Sequence, residues 1–413
     1  MPLFLSSLQK AVLPMSVDAA PLQEPQRSAL MRLWYDKESR STIIQIIAAV
    51  LILSLIGYMA RNAVVNLERL GKGFSFAFLF QPASYDINQH LIEYSSRSTH
   101  FRAMMVGIIN TLLVAAAGIV LATIVGFILG VIRLSKNWLT NKLAHIYIEY
   151  MRNVPVLLHI LLIHGIIVHS LPRPKNALNI GDSAFVTNRG VFMPSPELLP
   201  AFKVVALLFF AGIVFSWLFR RWARAQQAAT GQQYPVFWVS LAAIIGLPVI
   251  AYLVLGQPVN WNVPELKGFN FKGGMVIRPE FIALWLALSL YTAAFIAEIV
   301  RAGVLAISHG QTEASLALGI NRKRTLNLVV IPQALRVIVP PLSSNYLNLT
   351  KNSSLAIAIG YMDVTATIGG ISLNQTGREM ECMIIVMGIY LVMSLLISMF
   401  MNWYNKRIAL VER

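Results

Sequence analysis

Apolar residues run through this chain in long unbroken stretches rather than in strand-like alternation or narrow helical stripes. Eight of them, at roughly 42–61, 104–132, 144–171, 203–219, 236–256, 281–300, 337–360 and 384–405, approach or exceed the run of about 20 residues that crosses a bilayer. The pattern predicts an all-α integral membrane protein of about eight transmembrane helices, because a lipid-facing backbone must satisfy its own hydrogen bonds. Composition agrees: of 413 residues, 56% are hydrophobic and 13% charged. Residues 1–28 are interrupted by Lys10, Pro14 and Pro21. They lack the continuous apolar region of a cleaved signal peptide, and the span at 42–61 reads as an uncleaved anchor after a cytoplasmic tail.

The formal charge of +16 raises the question of nucleic acid, but the basic residues are scattered among short loops rather than gathered in a stripe. Anchoring against anionic membrane lipid and setting topology is the reading they favour. Arg27, Arg32, Lys37 and Arg40, then Arg133, Lys136 and Lys142, then Arg220, Arg221 and Arg224, the run 322–324, and Lys406 with Arg407 all fall on one side if the spans alternate. By the positive-inside bias that side is cytoplasmic, and both termini belong to it. Cys382 is the single cysteine, so neither an intramolecular disulfide nor a thiolate metal site is available.

One interruption stands out: Gly310-Gln311-Thr312-Glu313-Ala314-Ser315-Leu316-Ala317-Leu318-Gly319, followed by Asn321-Arg322-Lys323-Arg324 and Val329-Val330-Ile331-Pro332. It predicts a two-turn helix starting near Thr312. Thr312 can cap it, Glu313 in the first turn complements the dipole, and Gly319 supplies a left-handed end. The spacing of Glu313-Ala314-Ser315, Gly319 and Ile331-Pro332 is similar to the EAA loop of the membrane subunits of bacterial ABC importers, with Ser315 in place of the second alanine. The flanks 291–303, 332–336, 340–342 and 351–355, with Gly107–Leu113 and Tyr150–Leu157 upstream, resemble the polar amino acid branch, the histidine and glutamine permease group. Members of that group usually carry glycine and threonine at the positions of Asn153 and Val154. The length and the unmatched segment from Pro172 resemble the long subunit of the general L-amino acid permease type.

That resemblance implies a type I ABC importer five-helix core, at 104–171 and 281–405, within a transmembrane domain spanning 104–405. To the core are added a tail at 1–41, an N-terminal helix at 42–61, a periplasmic loop at 62–103, an insertion at 172–280 carrying a helical hairpin, and a cytoplasmic C-tail at 406–413. It implies that Gly310, Gln311, Glu313, Ala314, Ser315, Leu318, Gly319 and Arg322 dock an ATPase subunit. It further implies a periplasmic amino-acid-binding protein, a second permease subunit that is a paralogue, forming a heterodimer, and the bacterial inner membrane. No catalytic residue is expected. The chain has no Gly-x-x-x-x-Gly-Lys-Ser/Thr cradle, and Gly71-Lys72-Gly73 lacks the spacing. ATP and magnesium would therefore belong to the partner ATPase.

Polar residues inside spans are the remaining candidates, because the bilayer makes them costly. Asn345, Asn348 and Asn352 share one helical face with Lys351 beside them. They line a translocation pathway or hydrogen-bond neighbouring helices. Glu298 and Arg301 are spaced to pair, with substrate contact the second reading, and Tyr291 shares the face of Glu298. His159, His164 and His169 turn about 140° from one to the next, so they cannot hold one metal ion. Pro155 and Pro340-Pro341 are expected to kink or break their helices. A stand-alone ion-coupled transporter or channel is the alternative function. It calls for an internal repeat with paired broken helices or for intramembrane carboxylates, and neither is found.

Overall fold

The computed structural model describes residues 36–408 apart from 70, 72 and 182; the tail before 36 and the last five residues lie outside the described residues. The chain divides into two units, Met1–Phe74 and Ser75–Arg413. The first contains α1 (Lys37–Arg69), none of whose side chains is buried. Asp36 caps it by accepting the Ser39 N–H at 2.9 Å. The helix runs on past residue 61, so the segment read as loop from 62 begins as helix.

The second unit contains α2 (His100–Ile132), α3 (Trp138–Asn153), α4 (Val156–Ser170), α5 (Phe202–Thr230), α6 (Val236–Val254), α7 (Pro279–Leu305), α8 (His309–Ala317), α9 (Arg322–Ile359), α10 (365–376) and α11 (Glu379–Ile408). Among the described residues seven helices are long and apolar enough to span, and α3 with α4 makes an eighth as a bent pair. That pair is where the run at 144–171 departs from a straight span: the two halves meet at 107°. Proline has no N–H and disfavours helical geometry in the residue before it. Val154 is accordingly extended, and its N–H ends the α3 ladder on the Tyr150 carbonyl at 3.2 Å. Pro340 and Pro341, by contrast, lie inside the unbroken α-helical part of α9, Ile331–Asn352. The irregular turns fall on either side of it, a π turn at Leu326–Val330 and 3-10 turns at Ser353–Ile359.

Helix α7 is the axis of the core, packed by α2, α3, α4 and α9. Apolar side chains gain little by leaving lipid for protein, so close packing of small residues drives association. Gly118, Ala122, Gly126 and Gly130 recur every four residues along α2 and are all buried. A Cβ at Gly126 would stand 2.6 Å from Ile296 Cβ, and one at Gly130 2.6 Å from Val300 Cβ. Ala283, Ala287, Ala293, Ala294 and Ala297 are among the buried small residues of α7.

The insertion adds what the apolar pattern does not predict, a layer of short antiparallel strands. These are β1 (Leu178–Ile180), β2 (Ala184–Thr187), β3 (Gly190–Met193), β4 (Ser195–Leu198), β5 (Val259–Asn262), β6 (Glu265–Lys267), β7 (Asn270–Lys272) and β8 (Met275–Ile277). One sheet runs β1-β2-β3-β8, and β4 pairs β5 as β6 pairs β7. Phe271 joins two sheets by stacking on Phe185 at 4.4 Å and packing on Phe192 at 5.1 Å. Between β4 and β5 rise α5 and α6, which pack on each other, with Gly212 seated against the backbone at Ala243.

Candidate functional site

Between the ends of α7 and α9 the chain builds an exposed two-turn projection. Ser308 is its N-cap, accepting the Gly310 N–H on Oγ at 3.3 Å. The helix therefore starts about one turn before Thr312, and Glu313 sits in its second turn rather than at the positive end of the dipole. At the far end Gly319 N–H reaches the Leu316 carbonyl at 2.9 Å and Ile320 N–H the Ser315 carbonyl at 3.1 Å. This paired closure requires a left-handed residue, and Gly319 has φ +74°.

Ser315 is the residue of α8 that faces inward, 6% exposed, with its hydroxyl donating to the Gln311 carbonyl at 2.8 Å. A small residue is needed there, which accounts for serine where the motif has alanine. Gly310, Gln311, Glu313, Ala314 and Arg322 are exposed, and Leu318 is 80% exposed. The projection is tied to the first turns of α9: Gln333 donates to Gln311 at 3.3 Å, and buried Thr325 donates to the Ile320 carbonyl at 3.4 Å. Just above it α7 and α9 cross closely, with Gly303 against Ile338. The projection thus follows α7 in the chain and is hydrogen-bonded to the start of α9.

The intramembrane candidates divide. Asn345 is half-buried and donates to the Pro341 carbonyl at 3.2 Å, Asn352 is half-buried, and Asn348 and Lys351 are exposed in the single chain. Their shared face is therefore open to whatever lies beside α9. Tyr291 is elsewhere, between His159 (6.1 Å) and Phe295 (5.1 Å). Glu298 accepts from Arg301 Nε at 2.9 Å. Arg133 and Arg152 also act on the Glu298 carboxylate, so one acid answers three guanidinium groups near the α3–α4 bend. The histidines differ as their spacing requires: His159 is buried, His164 half-buried and His169 exposed.

Sequence reasoning missed a buried polar seam at the opposite end of the core from α8. Asp363 is fully buried. It accepts the Ala366 N–H at 2.8 Å, capping α10, and the Tyr390 hydroxyl at 2.9 Å. Among the described residues no ion pair reaches it, and burial pushes its carboxyl up to about 7. Nearby, Ser372 Oγ lies 2.7 Å from His100 Nδ1 and 3.1 Å from the Tyr85 hydroxyl, while Asn110 donates to the Met362 carbonyl at 2.9 Å. An aspartate three residues before Ala366 is a legible cap signal. What hid it is that the helix it starts, at Thr365–Ser372, is π-wound and too short to register as a span.

Residues 118–410 match the family described as binding-protein-dependent transport system inner membrane component. The general L-amino acid transport system permease protein AapQ of Rhizobium johnstonii is 46% identical over 96% of this chain and 99% of its own length. The putative amino-acid ABC transporter permease protein YhdX of Escherichia coli is 48% identical over 91% and 95%. BztB of Rhodobacter capsulatus, a glutamate/glutamine/aspartate/asparagine transport system permease protein, is 48% identical over 93% and 97%. A crystal structure of an amino acid ABC transporter with histidines aligns over 75% of this chain at 20% identity with a TM-score of 0.44. On the family match and on relatives covered along nearly their whole length, the chain belongs to the inner membrane components of binding-protein-dependent transport systems.

Proposed function

We propose that this chain is the permease subunit of an ATP-driven importer that carries L-amino acids, polar ones among them, across the inner membrane by alternating access. The observation that carries the reading is α8: a capped, exposed projection between α7 and α9, with its C-cap Leu318 80% exposed. The names of AapQ and BztB support the substrate class. A separate ATPase binds ATP and magnesium and docks on Gly310, Gln311, Glu313, Ala314, Ser315, Leu318, Gly319 and Arg322. Both termini are then cytoplasmic, and a periplasmic binding protein delivers substrate to the opposite face.

A second, paralogous permease completes the pathway against the open face of Asn345, Asn348, Lys351 and Asn352, with Tyr291 and Glu298 as contacts on α7. Two differently named glutamate/aspartate import permeases, GltJ and GltK, support pairing between paralogues. The test is purification of the tagged chain from its native membrane. An ATPase and a second permease are expected to come with it, and Gly319→Pro should shed the ATPase while keeping the permease. Amino-acid uptake driven by an ion gradient in vesicles holding this chain alone would overturn the reading.

A further inference from the structure

Helix α5 is too long for the membrane it crosses, and what it carries past the boundary is not neutral. Its 29 residues extend about 43 Å, against a hydrocarbon layer of about 30 Å. Arg220 lies about 27 Å from the start at Phe202, at the level where headgroups begin. Counting spans from the β layer, this end of α5 is on the same side of the membrane as α8.

Four residues at that level share one face. Trp217, Arg220, Arg221 and Arg224 stand at i, i+3, i+4 and i+7, within an arc of about 100°. All four are exposed. The Arg221 guanidinium lies over the Trp217 ring at 4.6 Å, and on the flank Trp222 packs on Tyr234 across the turn into α6 at 4.8 Å. A matching pair marks the same end of α11, where Arg407 lies over Trp403 at 4.4 Å.

Three like charges at these spacings repel one another, and nothing nearby in the chain relieves them. No aspartate or glutamate occurs between Glu197 and Glu265, and no ion pair reaches any of the three among the described residues. The flanking Gln226, Gln227, Gln232 and Gln233 are uncharged donors and acceptors. The hairpin packs on itself, and on the periplasmic side of the arginines α5 leaves Leu207, Phe210 and Val214 exposed, a surface suited to acyl chains. Indole rings at the interface, a basic face at phosphate depth and an acyl-lined shaft describe one ligand.

We propose that the α5–α6 hairpin binds the phosphate of an anionic glycerophospholipid through Arg220, Arg221 and Arg224, with Trp217 holding Arg221 in place. Guanidinium groups suit phosphate because they pair with it in bidentate fashion. The site anchors the inserted hairpin to the inner leaflet, independently of the substrate pathway.

The test uses the purified transporter complex, titrated with phosphatidylglycerol or phosphatidylcholine and read by native mass spectrometry. Inorganic phosphate is the parallel probe for a free anion. The tightest phosphatidylglycerol should bind in preference to phosphatidylcholine and survive inorganic phosphate. Its affinity should fall roughly fivefold in R221Q and on the order of a hundredfold in R220Q/R221Q/R224Q, following the attraction of each basic residue to an anionic surface. Neutralising a basic loop can disturb membrane insertion, so R220K/R221K/R224K serves as the charge-conserving variant. It should keep the preference for phosphatidylglycerol while losing part of the affinity. The proposal fails if both lipids bind alike, if R221Q and the triple glutamine variant match wild type, or if inorganic phosphate displaces the lipid.

Discussion

Gly319 separates conformational strain from steric contact. Its φ is +74°, and a Cβ built there meets nothing within 4 Å. Alanine therefore encounters no clash, only the left-handed backbone penalty of about 1–2 kcal/mol. Asparagine tolerates that region better. Proline cannot enter it, because its φ is fixed near −65°, and it also removes the N–H that bonds to the Leu316 carbonyl at 2.9 Å. If the closed form of α8 is the one an ATPase grips, the strain appears as lost affinity, at most about fivefold to thirtyfold for Gly319→Ala. Gly319→Asn should lose less and Gly319→Pro should not bind measurably. Titration of the ATPase subunit onto the permease pair in nanodiscs reads this order directly. Equal binding by all three variants, or an asparagine variant weaker than alanine, would refute the role given to the left-handed end.

Packing and burial set three further outcomes. Gly126→Val forces a branched side chain onto Ile296 and should cost about 1–3 kcal/mol of core stability, seen as a lower melting temperature of the complex, whereas Gly165→Ala, whose added Cβ meets nothing within 4 Å, should not. Asp363 titrates near 3.8 in an unfolded chain and at about 7 in the fold. Between those values the folded state holds a proton that the unfolded state has released, so stability falls as pH rises from about 4 to about 7 and is level above; Asp363→Asn should flatten that slope in melting curves. Asn348→Leu and Asn352→Leu, if they assemble at full yield, should slow uptake in proteoliposomes, and unchanged uptake would remove this face from the pathway.

The spans were legible because lipid leaves the chain no other way to satisfy its backbone, and that constraint writes itself as composition. Breaks were less legible. Pro155 ends α3 at a 107° bend, whereas Pro340 and Pro341 sit within a continuous helix, since a proline forfeits only local hydrogen bonds and neighbouring helices decide whether the axis turns. Asn188-Arg189-Gly190 is a readable turn between β2 and β3, but β3 also pairs with β8, in the register Val191 to Ile277, and no local pattern announces so distant a partner. The start of α8 slipped by about a turn because Ser308 and Thr312 are both acceptable caps, and propensity alone does not choose between them. The cap at Asp363 was masked by the short π-wound helix it starts, and its bond to Tyr390, on another helix, leaves no local trace in the sequence.

The pairing of β4 with β5 sets Leu198 opposite Val259. These two residues are the feet of the whole α5–α6 excursion, brought side by side in one antiparallel ladder. A two-residue reverse turn of the Asn-Gly kind spans such a gap, so everything between them is a removable module. A shortened chain joined there would keep the rest of the β layer and the order of the core helices, and the tip at 231–235 can accept a reporter without lengthening any path through the transporter.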